Sequence, residues 1–326
     1  MSIFLNSCIC SWGLRDAMTA HPAARTRIDS MLVTLSFHGR SAVGEAVGLP
    51  GETVHTMRAA VERIRAQVEG GLNRRSLLAL LPPGGARNAL DAALWDLEAK
   101  LSGVPAWQIA GLPEPTSACA SAATIWAPES AAYEDIAREY AHHPILKICL
   151  RDVDPIEALR SVRRAAPQAK LIVDPGQGWY LSDMQRLRDP MIALGVGLIE
   201  QPVPPAEDER LVGFDYPIPI CADPTTADVS RLRLLARRYQ YVRVELNRMG
   251  GLTAAIAYVR AARRNGLKIV VASRPGSSLA TAPARLLADS ATFAELSGPT
   301  LLTSDWPNPI TYRDGMASAV PAALWG

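Results

Sequence analysis

Three acidic residues stand at the ends of three successive β-rich runs in the second half of the sequence. They are Asp174, Glu200 and Asp223, separated by 26 and 23 residues. Ionised carboxylates that converge within a few ångströms repel each other, so such a cluster persists only with a cation between its members. Three hard oxygen ligands, with no histidine or thiolate required, predict a Mg²⁺ site. The alternative is that each acid only caps the helix that follows it.

The intervals between these acids equal one strand–loop–helix unit with short connections. Similar β-rich runs recur at residues 145–150, 170–173, 197–200, 218–222, 241–246, 268–272 and 293–296, with helical patterns between them. About eight parallel strands joined by helices close into a barrel, whose chemistry lies at the carboxyl ends of the strands. An open doubly wound sheet is the alternative, but it would need a glycine-rich phosphate turn that the sequence lacks. The sequence therefore predicts a βα barrel.

The first 115 residues show a different pattern. Two strands, at residues 30–37 and 44–46, are predicted to be joined by a turn, and helical patterns follow at residues 54–69 and 87–101. Because strands come first and helices after them, this part is predicted to be an α+β unit that precedes the barrel. The junction is expected at residues 111–115.

Composition excludes several classes of function. With 326 residues, 48% of them hydrophobic, the chain can bury a large core and is not intrinsically disordered. A net charge of +2 provides no strong field for nucleic acid or an anionic membrane. Apolar runs are too short to span a bilayer, and the N-terminus has no signal-peptide pattern. Five irregularly spaced cysteines predict a reduced, soluble, cytoplasmic protein, with a homo-oligomer left open.

Several motifs resemble those of the enolase superfamily, in its muconate-lactonising branch, and most of all those of the dipeptide epimerases. The barrel motifs are Asp174-Pro175-Gly176-Gln177-Gly178-Trp179, Ile199-Glu200-Gln201-Pro202-Val203, Ala222-Asp223 and the stretch from Leu246 to Gly250-Gly251-Leu252. In the N-terminal part, Gly44-Glu45-Ala46 and Leu94-Trp95-Asp96-Leu97 resemble the capping domain of the same family.

The resemblance implies a modified TIM barrel, (β/α)7β, with an α+β capping domain. The predicted division is a cap over residues 1–115, the barrel over residues 116–300, and a C-terminal segment, residues 301–326, that returns to the cap. It also implies one Mg²⁺ held by the three acids. The shared reaction step is abstraction of a proton α to a carboxylate or amide carbonyl, with the metal stabilising the enolate.

The positions that would carry proton transfer depart from the family pattern. The family's epimerases have Lys-x-Lys on the second barrel strand, where this chain has Lys147-Ile148-Cys149. Their opposing lysine on the sixth strand corresponds to Glu245. The other three lysines lie in the cap or at the beginnings of strands, so only Lys147 can reach the site. No histidine follows His143, which also excludes the histidine base of the mandelate racemase branch.

The positions that would bind substrate have changed as well. Dipeptide epimerases hold the substrate ammonium with Asp-x-Asp on the last strand, where this chain has Glu295-Leu296-Ser297. Arg274 appears in the loop after the seventh strand. We therefore predict that Arg274, Glu295 and Ser297 bind substrate. A lost acid and a gained arginine favour a more anionic substrate without a free amino group, and they argue against an efficient dipeptide epimerase.

Cys149 and Glu245 are the remaining candidates for proton transfer, with Lys147. By strand alternation all three point into the barrel, and strands two and six lie on opposite sides of it. A thiol beside a lysine and a divalent cation has a depressed pKa and can serve as an acid or base, with Glu245 as its protonated partner. Alternatively, Cys149 is a small packed residue and Glu245 is the ion-pair partner of Lys147.

The leading hypothesis is therefore a divergent Mg²⁺-dependent enzyme that acts on a small carboxylate or amide. Epimerisation, cycloisomerisation and one-base elimination are all open, so an isomerase is expected first and a lyase second. The rival hypothesis is a metal-binding pseudoenzyme that keeps the pocket but has lost proton transfer.

Overall fold

The computed structural model describes residues 2–15, 26–224 and 228–326. Its strands are β1 (Phe4–Gly13), β2 (Arg27–Phe37), β3 (Arg40–Val47), β4 (Ala118–Ala120), β5 (Ala123–Ile125), β6 (Ile145–Cys149), β7 (Lys170–Asp174), β8 (Val196–Glu200), β9 (Ile220–Ala222), β10 (Tyr241–Glu245), β11 (Lys268–Ala272), β12 (Phe293–Glu295), β13 (Tyr312–Arg313) and β14 (Met316–Ser318).

The helices are α1 (Val54–Arg63), α2 (Arg65–Glu69), α3 (Arg74–Leu80), α4 (Gly85–Ser102), α5 (Ala106–Ile109), α6 (Tyr133–Glu139), α7 (Pro155–Ala165), α8 (Leu181–Ala193), α9 (Leu232–Leu235), α10 (Leu246–Met249), α11 (Leu252–Arg264) and α12 (Ser278–Ala288). Short 3₁₀ helices lie at Ser130–Ala132, Pro205–Leu211, Val229–Arg231 and Gly298–Leu301. None of the described helices is long and apolar enough to cross a bilayer.

The barrel is a parallel sheet of eight strands in sequential order from β5 to β12. A backbone hydrogen bond from Ala122 N to Ala294 O joins its two edges. The helices between the strands begin where the sequence predicts. For example, Asp154 caps α7 by accepting from the backbone N–H groups of Ile156 and Glu157. The predicted barrel with a preceding α+β unit is confirmed.

Alternation along the strands divides the barrel interior into layers. The lower layer is apolar and is closed by Ala122, Ile145, Ile172, Leu198, Cys221, Tyr241, Val270 and Phe293. Two residues further along, the inward positions carry polar or charged side chains on every strand except β11, where Ala272 stands. A dry floor therefore supports a layer of charged groups at the carboxyl ends of the strands, where barrel chemistry takes place.

The N-terminal unit packs an antiparallel sheet of β1, β2 and β3 against the long helix α4. Gly44 on β3 is required at this contact, because a Cβ there would lie 2.2 Å from the carbonyl oxygen of Ala89. β1 was not predicted from the sequence. The predicted helix at residues 54–69 is interrupted at Ile64 and forms two helices, α1 and α2.

Helix α4 is fixed to the barrel by hydrogen bonds to the C-terminal end of α10, the short helix that follows β10. Arg87 donates to the carbonyl oxygens of Met249 (2.7 Å) and Gly250 (2.9 Å). A Cβ at Gly250 would lie 2.4 Å from Nε of Arg87, and one at Gly251 would lie 2.6 Å from the Asp91 side chain. The paired glycines therefore let the cap approach the end of the sixth barrel strand closely.

Glu45 joins the cap to the barrel a second time. Its buried carboxylate accepts hydrogen bonds from Trp12 Nε1 (2.9 Å), Ser30 Oγ (2.5 Å), Ser277 Oγ (2.6 Å) and Trp306 Nε1 (2.5 Å). Ser277 caps α12, which follows β11, and Trp306 belongs to the C-terminal segment. The cap, the seventh barrel strand and the C-terminal segment therefore meet at one carboxylate.

The C-terminal segment also contacts α4. Trp325 Nε1 donates to the carbonyl oxygen of Ala92, and the backbone N–H of Gly326 donates to Asp96. The division at residues 115 and 300 stays a prediction.

Candidate active site

Lys147 lies at the centre of the charged layer. Its side chain is 5% exposed, and Nζ is 2.8 Å from Glu200 Oε1, 3.1 Å from Asp174 Oδ2 and 3.4 Å from Glu295 Oε2. Burial alone would lower the pKa of Lys147, but the adjacent carboxylates of Glu200 and Glu295 raise its pKa well above the usual value. Lys147 is therefore an ammonium ion near neutral pH and cannot accept a proton.

A second buried cation, Arg243, lies beside Lys147. It is on β10, one inward position before Glu245. Its Nη1 is 3.4 Å from Glu200 Oε1 and 3.8 Å from Asp223 Oδ1, and its Nη2 donates to Glu295 Oε2 at 3.0 Å. Sequence reasoning missed this residue. The signal was present, since the alternation that places Glu245 in the barrel interior places Arg243 there too.

Glu245 pairs with arginines at the barrel mouth. Oε1 of Glu245 is 3.4 Å from Arg274 Nη1, and Oε2 is 3.6 Å from Arg248 Nε. Arg248 also contacts Asp223 Oδ1 at 2.5 Å. The alternative in which Glu245 is the ion-pair partner of Lys147 is therefore wrong, because Glu245 pairs with Arg248 and Arg274 instead.

Glu295 and Ser297, both predicted to bind substrate, lie in different surroundings in the structure. Glu295 is 7% exposed and points into the charged layer, where burial and the charge of Glu200 raise its pKa to about 7. It pairs with Lys147 and Arg243 and therefore does not face the mouth. Ser297 is half-buried two residues after β12, immediately before a 3₁₀ helix. Its role in substrate binding stays a prediction.

The surroundings of Cys149 do not favour the thiolate predicted from the sequence. Burial, together with the negative charge of Asp174 on the neighbouring strand, raises the pKa of Cys149 to about 12. Lys147 acts in the opposite direction but does not compensate, because it is already engaged by carboxylates. Cys149 is therefore a neutral thiol near pH 7 and can donate a proton but not accept one.

Asp174, Glu200 and Asp223 converge at the strand ends, as the barrel requires, but the arrangement does not fit a metal ion. Among residues 2–15, 26–224 and 228–326, no group of three or more His, Cys, Asp or Glu side chains is placed to hold one. Lys147 contacts Asp174 and Glu200, and the arginines contact Asp223. Within the described residues the buried Oε2 of Glu200 and Oε1 of Glu295 have no hydrogen-bond partner, but two free oxygens fall short of the six ligands that Mg²⁺ requires.

A small cavity lies at the mouth between cap and barrel. Val47 of the cap lines it, together with Glu245, Asn247, Ser273 and Arg274 of the barrel. A larger cavity of about 590 Å³ lies elsewhere, against α3, α4 and α11, and no residue of the charged layer lines it. The small cavity, of about 10 Å³, holds no more than a single water molecule, so the candidate active site is the barrel mouth that it marks, with Glu245 and Arg274 as its charged groups.

Comparison with known proteins agrees with this geometry. Residues 131–323 match the family model described as Enolase C-terminal domain-like. The chain belongs to the enolase superfamily, in its mandelate racemase/muconate lactonizing group. The resemblance of the barrel motifs and the cap to this superfamily is confirmed.

Two relatives of known name match most of the chain. N-acetyl-D-glutamate racemase from Pseudoalteromonas sp is 40% identical over 250 residues, which cover 77% of this chain and 79% of that protein. L-Ala-D/L-Glu epimerase from Escherichia coli (strain K12) is 32% identical over 308 residues, which cover 94% of this chain and 96% of the epimerase. Both relatives are named for reactions that invert a stereocentre.

A solved structure of a superfamily member from Agrobacterium tumefaciens, with homology to dipeptide epimerases, superposes on this chain with a TM-score of 0.92. It is 34% identical, and the match covers 99% of this chain and all of that one. Its crystals contain sodium and L-Ala-L-Glu with an ordered loop. The layout of cap and barrel is therefore shared with a protein that binds a small dipeptide.

Proposed function

We propose that this chain is an isomerase that inverts the α-carbon of an N-acylated acidic amino acid, with N-acetylglutamate as the model substrate. The observation that carries this proposal is Arg274, whose side chain is 28% exposed and lines the cavity at the barrel mouth. A guanidinium offers several N–H donors in a planar fork that matches a carboxylate. Arg274 is therefore the binding group for a substrate carboxylate.

The amino group of the substrate is proposed to be acylated. An ammonium group would need a carboxylate facing it, and the corresponding acid, Glu295, is withdrawn into the charged layer by Lys147 and Arg243. An unpaired ammonium there would lose its hydration without compensation. A neutral amide carries no such cost. The 40% identity to a racemase named for N-acetyl-D-glutamate supports the same choice.

Proton transfer is assigned to Glu245 and Cys149. Glu245 lines the cavity and accepts the proton as the Cα–H bond of the substrate breaks. The neutral thiol of Cys149, on the opposite side of the barrel, donates its proton to the other face of the α-carbon. The thiolate then takes a proton from solvent and Glu245 releases its proton to solvent, which restores the starting protonation states. These roles are the reverse of those expected from the sequence. Lys147 does not act as the base, because it is protonated and engaged by three carboxylates.

A second candidate function is ligand binding without proton transfer. It is favoured by the carboxylate at the sixth-strand lysine position, which is already paired with two arginines. The rest of the site would serve equally well in a protein that only binds an anionic amide. Measurement of exchange at the α-carbon separates the two candidates.

Calorimetric titration tests the substrate class. The wild-type protein should bind N-acetylglutamate at least about tenfold more tightly than L-Ala-L-Glu. N-acetylglutamate keeps the pair between its carboxylate and Arg274, and it has no ammonium group to bury. Arg274→Gln should lose most of the affinity for N-acetylglutamate. Arg264→Gln, at an exposed position near the end of α11, is the matched control and should bind like the wild type. Tighter binding of the dipeptide by the wild type would contradict the proposal.

A further inference from the structure

We propose that the guanidinium of Arg243 is the permanent counter-ion of the carboxylate cluster and that this chain therefore binds no Mg²⁺ there at ordinary concentrations. Arg243 points into the barrel from β10, between Tyr241 of the apolar floor and Glu245 at the mouth. The contacts that support this inference lie within the charged layer and do not involve the substrate proposed above.

The first support is the set of contacts that Arg243 makes. Its side chain is only 14% exposed and reaches three carboxylates, at 3.0 Å from Glu295, 3.4 Å from Glu200 and 3.8 Å from Asp223. Glu200 and Asp223 are two of the three acids from which the sequence predicted a metal site. One guanidinium therefore lies where a cation shared by these two acids would be expected.

The second support is the position of Lys147, which covers the remaining acid. Its Nζ is 3.1 Å from Asp174 and 2.8 Å from Glu200. Each of the three predicted ligands is thus within 4 Å of a cation that the chain itself supplies. The repulsion between the three carboxylates, from which the metal site was predicted, is already relieved by Lys147 and Arg243.

The charge balance of the layer points in the same direction. The ion pairs join five carboxylates to four side-chain cations, so the layer carries at most one net negative charge. A divalent cation would give it at least one net positive charge and would lie within contact range of Lys147 and Arg243. Since arginine does not deprotonate in proteins, its repulsion of a metal ion cannot be relieved by loss of a proton.

Calorimetric titration with MgCl₂ alone, on protein treated with EDTA, tests the inference. The wild type should show no saturable binding up to about 10 mM, whereas Arg243→Gln should bind Mg²⁺ at least about tenfold more tightly, since a like charge is removed from contact range. Arg243→Lys, which keeps the charge, should behave like the wild type. Arg264→Gln, an exposed substitution on α11, controls for general loss of positive charge.

A thermal measurement covers the case in which Arg243→Gln folds poorly without its counter-ion. Mg²⁺ should then raise the Tm of this variant, because a ligand that binds only the folded state stabilises it, and should leave the wild-type Tm unchanged. Saturable binding of Mg²⁺ by the wild type below about 10 mM would overturn the inference. So would an Arg243→Gln variant that neither binds Mg²⁺ more tightly nor gains stability from it.

Discussion

Arg243 on β10 donates a hydrogen bond to Glu295 on β12 over 3.0 Å, across the strand that lies between them. The pair draws Glu295 into the barrel and away from the mouth. The sequence resemblance places Glu295 where dipeptide epimerases have an acid that binds the substrate ammonium. The contact with Arg243 therefore changes which substrates the site can bind. A buried ion pair thereby bears on substrate choice without touching the substrate.

Substitution of Lys147 should destabilise the fold. Lys147→Met removes the ammonium that faces Asp174 and Glu200, and the uncompensated carboxylates should lower the free energy of unfolding by about 3–5 kcal/mol. Urea denaturation measures the effect. Lys170→Met, at an exposed position at the start of β7, is the matched control and should change stability by less than about 0.5 kcal/mol. Equal effects of the two substitutions would contradict the arrangement of the charged layer.

Alkylation should distinguish Cys149 from Cys8, which is exposed. Burial raises the pKa of Cys149 to about 12, so its thiolate fraction at pH 7 should be about a thousandth or less of that of a thiol with a pKa of about 8.5. Iodoacetamide at pH 7 should therefore label Cys8 and leave Cys149 unlabelled, as read from peptide masses. Labelling of both residues at the same rate would show that Cys149 carries a thiolate after all.

Asp91 should make stability depend on pH. Burial raises its pKa from 3.8 to about 6, although Thr253 donates two hydrogen bonds to it. The folded state therefore disfavours the ionised form, and the stability present below about pH 4 is lost as the pH rises through 6. The free energy of unfolding should fall by about 3 kcal/mol over this range as a result. Asp91→Asn should abolish most of the decline, and an unchanged decline in that variant would refute the assignment.

Much of the barrel could be predicted from the sequence because its signals are local. Apolar runs, the N-cap at Asp154 and the regular intervals between acids each depend on a few neighbouring residues. Strand ends accordingly fall within about two residues of the expected positions, for example Lys268–Ala272, which is reproduced without change. β1 could not be predicted because only Leu5 and Ser7 of its residues are buried, so its apolar alternation is weak and the strand is defined by pairing with β2.

The sequence predicts which side chains form the charged layer, but not which of them pair with one another. Alternation predicts that Lys147, Glu200 and Glu245 point inward, and they do. It does not predict partners, because the contacts of Arg243 and Glu295 join strands that are far apart in sequence. The pKa values of Cys149 and Glu295 follow from that pairing together with burial, so they too required the structure.

The central claim is tested most directly by ¹H NMR in D₂O, following the α-proton of N-acetyl-D-glutamate and, separately, that of the glutamate residue in L-Ala-L-Glu. The account predicts that the wild-type protein exchanges the α-proton of N-acetylglutamate, with formation of the opposite enantiomer, at least about tenfold faster than that of the dipeptide. Glu245→Gln should lose most of this exchange, whereas Cys149→Ser should lose most of the formation of the opposite enantiomer. Exchange of the dipeptide at an equal or higher rate, or binding of N-acetylglutamate with no exchange at all, would contradict it.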